Sequence, residues 1–216
     1  MRYVTCLLRP EAGHFDAIHR ALSRESGVVL ERIHHIHMLG EGRAVVLYGL
    51  DGGVDHISGI FDEQPDVDLF DVSRGAGGVY VYVHCWVNEL VEALLRVPRN
   101  HEIIAETPMV YTDDGGLRVT LVGEEGSIRR AIYSLPSGVS RNIERTGKYL
   151  PYGERLYSQL TDRQRETLRV AVQRGYFEDP RSVTYADIAD ELDVSPGTVG
   201  TIIRKVEATV MPAIVP

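Results

Sequence analysis

Cysteine is scarce in this chain: among 216 residues only Cys6 and Cys85 occur. Two cysteines in a cytosolic chain do not imply a disulfide framework, no C-x-x-C is present, and two reduced, buried thiols are the plainest reading. Lysine is scarcer still for a basic residue. Of 23 basic side chains only Lys148 and Lys205 are lysine, and 31 acidic residues leave a formal charge of −8. Few lysines with an acid excess fit a salt-loving host or a GC-rich genome. No run of 18 apolar residues occurs, which excludes a helical membrane span. The start, MRYVTCLLRPEAGHFD, lacks the charged end, long apolar middle and cleavage site of a signal peptide, and points to the cytoplasm. The motifs G-x-G-x-x-G, G-x-x-x-x-G-K-[ST], G-x-S-x-G and H-E-x-x-H are all missing. Asp51-Gly52-Gly53 and Asp113-Asp114-Gly115-Gly116 read as turns rather than phosphate loops. No enzyme is expected. Trp86 is the only tryptophan, and its expected place is the core.

What is present falls into two regions. Residues 1–150 alternate strand and helix signals. Strands are predicted over 3–8, 28–39, 43–50 and 66–72, with helices over 11–25 and 53–64. That order is βαββαβ. It recurs as strands over 79–87, 101–112, 117–123 and 139–149, with helices over 88–97 and 127–135. GRAVVLYGLDGG from Gly42 aligns with GLRVTLVGEEGS from Gly116, 74 residues on. YVTCLL aligns with YVHCWV, which sets Cys6 opposite Cys85. The expectation is an α+β region of two ferredoxin-like or ACT-like repeats, about 1–75 and 76–150. Each would be a four-stranded antiparallel sheet under two helices. Pro151 and Gly153 mark a linker over 151–159.

Residues 160–216 are helical. Thr161 and Gln164 form a capping-box pair at the start of a helix that runs to about Gly175. Thr184 caps a second helix, YADIADEL, with Ile188, Ala189 and Leu192 inward. Ser195 caps a third, with Pro196 at its first position, and Val199, Ile202, Ile203 and Val206 give it a buried side. The short DVS separation is a helix-turn-helix arrangement, in which the second helix of the pair enters the major groove of double-stranded DNA. Small polar residues at its start permit a close approach. The candidate DNA-binding residues are Ser195, Gly197, Thr198, Thr201, Arg204 and Lys205, with Arg181 and Thr184 just upstream. The alternative is a three-helix bundle used for protein contact by an adaptor.

The stretch LTDRQRETLRVAVQRGYFEDPRSVTYADIADELDVSPGTVGTIIRKVEA (160–208) resembles the helix-turn-helix domain of the archaeal bacterio-opsin activator type. The resemblance rests on LTDRQRETL, the GYFEDPR connector, VTYADIADELDVS and the terminal RKVEA. Arginine in place of lysine agrees with a haloarchaeal source. The resemblance implies a transcription regulator with a variable sensory region ahead of its DNA-binding domain. The family often has a Ser-rich, Arg-rich recognition helix, whereas this chain has SPGTVGTIIRKVE.

Charge runs against DNA binding, because residues 160–216 hold seven basic and nine acidic side chains. Positive charge therefore has to be local, with Arg174 and Arg181 joining Arg204 and Lys205. A homodimer is expected, since pairing doubles the contacts. In the first region RIHHIHM (32–38) sets His35 and His37 on one face of a strand, with His34 and Ile36 on the other. That pair is a candidate metal site, with Cys6, His14, His19, His84 or Cys85 as further ligands. Cys6 and Cys85 are candidates for a redox or ligand role in a shared cleft. Plain structural roles stand beside both readings, and a metal ion or small-molecule effector is the cofactor that either would imply.

Overall fold

The structure is a computed structural model that describes residues 1–214, and it separates into two compact units that meet at Tyr149 and Leu150. Among the described residues no helix is long and apolar enough to cross a membrane. In the first unit the element order is β1 (Arg2–Pro10), α1 (Ala17–Arg24), β2 (Val29–Gly40), β3 (Arg43–Asp51), α2 (Val54–Asp62) and β4 (Val67–Gly75). The same order follows as β5 (Gly78–Trp86), α3 (Glu89–Asn100), β6 (Ile104–Tyr111), β7 (Leu117–Gly123), α4 (Glu125–Tyr133) and β8 (Val139–Lys148).

The strands do not form two separate sheets. They make one eight-stranded sheet in the order β4-β5-β3-β2-β6-β7-β1-β8, antiparallel at every join. The first strand of each half lies in the other half. β1 sits between β7 and β8, and β5 sits between β4 and β3. The halves meet where β2 pairs with β6 through Arg32 opposite Val110 and Ile33 opposite Met109. One continuous apolar core results, with Leu22, Ile57, Phe61, Val91, Ile128 and Ala131 of the helices against inward strand residues.

Local chemistry corrects several boundaries. α1 begins at Ala17 rather than residue 11, because Gly13 turns the chain at φ +82° and Asp16 takes the N-cap, accepting the His19 N–H at 2.7 Å. The inward sets are Ala44, Val46 and Tyr48 on β3 and Leu117, Val119 and Leu121 on β7. They are offset by 73 residues, so the 74-residue alignment is one residue out of phase and exchanges the two faces. Trp86 is not in the core. Period-two alternation buries Val79, Val81, Val83 and Cys85, leaving Trp86 47 % exposed. There its Nε1 donates to Asp68 at 3.0 Å under the Arg43 guanidinium, 5.5 Å from the ring centroid.

The second unit is helical: α5 (Tyr152–Ser158), α6 (Asp162–Gln173), α7 (Tyr185–Leu192) and α8 (Pro196–Ile214). α5 occupies most of the segment assigned to a linker. Thr161 and Gln164 make both bonds of the capping box on α6. Gly175, at φ +76°, ends that helix, with Tyr176 N–H donating to the Ala171 carbonyl at 2.9 Å and Gly175 N–H to Val172 at 3.1 Å. This is the paired closure that a left-handed C′ glycine allows.

Candidate nucleic-acid interface

α7 and α8 are joined through Asp193, Val194 and Ser195. Asp193 adopts the left-handed conformation at φ 51°, which a short polar side chain tolerates. The Ser195 hydroxyl accepts the Thr198 N–H at 3.2 Å and lies 2.8 Å from the Thr198 hydroxyl, so it starts α8 as a side-chain cap. One face of α8 is then buried by Val199, Ile203 and Val206. Val199 and Ile203 pack against Val170 and Ala171 of α6 and against Ile188 and Ala189 of α7. Full burial of an isoleucine such as Ile203 stabilises by about 1.5–3 kcal/mol.

The opposite face is polar and open. Gly197, Thr198, Thr201, Arg204, Lys205 and Ala208 are all exposed, at the three- and four-residue spacings of one helical stripe. The Thr201 hydroxyl donates back to the Gly197 carbonyl at 2.9 Å, which leaves its lone pairs and methyl outward. Gly200 marks the approach of α8 to α7. A Cβ there would lie 3.2 Å from the Tyr185 ring, and that ring stacks on Tyr176 at 5.0 Å. Sequence reading missed this aromatic pair, although Gly200, fifteen residues after Tyr185, was the available signal.

Ion pairing decides which cations remain available. Arg163 with Glu166, Arg165 with Asp162, and Arg174 with Glu191 are each paired at 2.6 Å. Arg174 is thus paired with an acid of α7, on the surface. Arg169, Arg181, Arg204 and Lys205 are exposed and have no ion pair among the described residues. Thr184 serves α7. Its hydroxyl donates to Asp187 at 2.6 Å, and this bond, followed by that from the Thr184 N–H, holds the Asp187 carboxyl below its ordinary value. An anion thus stands beside Thr184, which opposes a phosphate contact there.

The first unit does not assemble the expected metal or redox sites. β2 carries a bulge at His34. As a result Ile33 and Ile36 both line the interior. His34 packs over Gly49 and 5.3 Å from the Tyr80 ring, not beside Ile36. His35 and His37 are exposed, and among the described residues no group of three or more His, Cys, Asp or Glu is placed to hold a metal ion. Cys6 and Cys85 are free and buried. Their strands are seventh and second in the sheet, about 24 Å apart at ~4.8 Å per strand, so they share no cleft. Burial, aided by Glu144, pushes the Cys6 thiol up to about 11. Burial, aided by Asp16, pushes Cys85 up to about 12. Neither is a thiolate at neutral pH, and neither suits a redox role.

Comparison with known proteins bears on both units. The family model described as HVO_0513, N-terminal, matches residues 16–149, more than half of the chain. The chain belongs to that family. In this member residues 160–212 match the model described as HTH DNA binding domain, and the helix-turn-helix is of the bacterio-opsin activator type. A Haloferax volcanii protein named "putative transcriptional regulator" is 33% identical over 123 residues, or 54% of this chain. The match spans 21% of that relative's own length.

Proposed function

We propose that this protein is a sequence-specific transcription regulator that binds double-stranded DNA through its second unit, and not an enzyme. The observation that carries the reading is the open stripe of α8, opposite the face packed on α6 and α7, in a segment matching a DNA-binding family. α8 enters the major groove. Ser195, Gly197, Thr198 and Thr201 meet base edges, while Arg204, Lys205 and Arg181 meet phosphates. The acidic total does not oppose this, because Arg163, Arg165 and Arg174 are paired with acids of the unit, while Arg169, Arg181, Arg204 and Lys205 have no ion pair among the described residues. Residues 1–149 form the sensing and pairing unit, and the active species is a homodimer in the cytoplasm. The doubled βαββαβ order supports two ferredoxin-like halves with exchanged first strands.

The test is binding of the purified full chain to DNA from its own upstream region and to a scrambled control. Thr198→Ala is expected to cost about 1–3 kcal/mol on the upstream DNA and little on the control, whereas Arg204→Ala weakens both alike. Equal affinity of the unmodified protein for both DNAs, with no change in either variant, would favour an adaptor that uses the helical unit for protein contact.

A further inference from the structure

The interior of the first unit is not filled. A cavity of about 100 Å³ lies within it, lined by sheet and helix residues that include Cys6, Leu94, Leu95, Ala105 and Met109. The cavity is partly open at the surface and larger than the ~10–15 Å³ that one water needs. The lining is apolar except at Asp16, Tyr48 and Tyr111, with the Cys6 thiol. Tyr48 is 4 % exposed, and Tyr111 lies 4.9 Å from the His19 ring and 6.4 Å from Phe15. Neither phenol has a hydrogen bond among the described residues. Tyr111 is half-buried, so both hydroxyls are open to a partner supplied by whatever occupies the cavity.

Asp16 stands at the same place. Its Oδ1 caps α1, and burial pushes its carboxyl above the ordinary value. The backbone N–H groups of His19 and Ile18 work against that rise. Phe15 and Asp16 also line a polar cleft of about 350 Å³ with His14, Arg20, Asp66 and Asn88. The β1–α1 connection is therefore the wall between cavity and cleft. It is pinned by Asn88 Nδ2 donating to the Phe15 carbonyl at 2.8 Å and by Phe15 N–H donating to His19 Nδ1 at 3.1 Å.

We infer that this cavity binds a small neutral molecule, no larger than one six-membered ring, that carries a single hydroxyl held by Tyr48, Tyr111 and Asp16. The size follows from comparison with an apolar cavity of ~150 Å³, which takes benzene. Neutrality follows from the walls, since an ion would lose its water to apolar side chains with one carboxyl oxygen in exchange. The regulatory meaning of the site rests on residues 1–149 being the sensing unit. Binding itself does not.

The experiment titrates the full chain with phenol and separately with benzene, by amide NMR and calorimetry. Saturable binding of phenol, one per chain, is expected. Tyr48→Phe and Tyr111→Phe weaken phenol by roughly fivefold to tenfold and leave benzene unchanged. Ala105→Leu fills the cavity and removes both. Should that variant fail to fold by circular dichroism, Val119→Ile adds one methyl group and is expected to weaken both probes. No saturable shift with either probe means a cavity holding only water and overturns the site. Phenol binding indifferent to both Tyr→Phe changes also overturns it. The same samples are tested on upstream DNA. Lost DNA preference with intact phenol binding sinks the regulator reading alone, and the reverse sinks the cavity site alone.

Discussion

At the scale of single residues, neighbours decide what a side chain can do. Cys6 and Cys85 carry the same thiol as any cysteine, yet each is at least 98 % buried, and burial is the largest cause of its raised pKa. Lifting Cys6 from 9.0 to about 11 lowers its thiolate fraction at neutral pH by about 100-fold, at tenfold per pKa unit. Iodoacetamide at pH 7 is expected to label neither thiol of the folded protein within the time that labels both in urea. Rapid labelling of either in the native state would sink this reading. His19 is governed by the same physics with the opposite sign. Burial, then His14, lower it to about 4. It therefore stays neutral when folded and disfavours the native state as pH falls from 6.5 towards 4. The identity of each of these residues was legible in the sequence. Their chemistry was not, because it depends on residues distant along the chain.

At the scale of elements, most strands and helices were legible, since period two and period 3.6 are written in the order of residues. β7 has the predicted bounds, and α7 is the predicted YADIADEL. Helix α8 shows why the pattern is decisive there: Val199 and Ile203 are wholly buried. Ile203→Ala is expected to cost about 2–5 kcal/mol through lost transfer energy and a residual cavity. Urea unfolding followed by helical circular dichroism checks it, and a cost under about 0.5 kcal/mol, the usual range of surface changes, would show that α8 is not held by this stripe. Where the pattern failed, a local device had intervened. Gly13 and the Asp16 cap shortened α1, and the bulge at His34 turned that side chain to the face opposite Ile36.

At the scale of the whole molecule the charge is −8, so the response of binding to salt is set by the few cations that reach phosphates. Each phosphate contact contributes about −0.9 to the slope of log K against log salt. With phosphate contacts from Arg169, Arg181, Arg204 and Lys205, which have no ion pair among the described residues, the slope is expected to be about −4 for one chain and about −8 for a pair. A salt series on upstream DNA, run beside sedimentation to fix the number of chains, measures it. A steeper slope would show that cations of the first unit also reach DNA. A slope near zero would remove phosphate contact from the account.

The sequence by itself determined the element types, the doubled βαββαβ order and the helix-turn-helix, because these follow from patterns within some twenty residues. The tertiary structure alone decided that β1 and β5 trade places, that the two cysteines lie far apart, and that Trp86 faces outward beside Asp68 and Arg43. It alone decided which arginines are tied to acids and that Asp16, Tyr48 and Tyr111 converge on one cavity. Those outcomes depend on pairings between residues tens of positions apart, which no local period encodes.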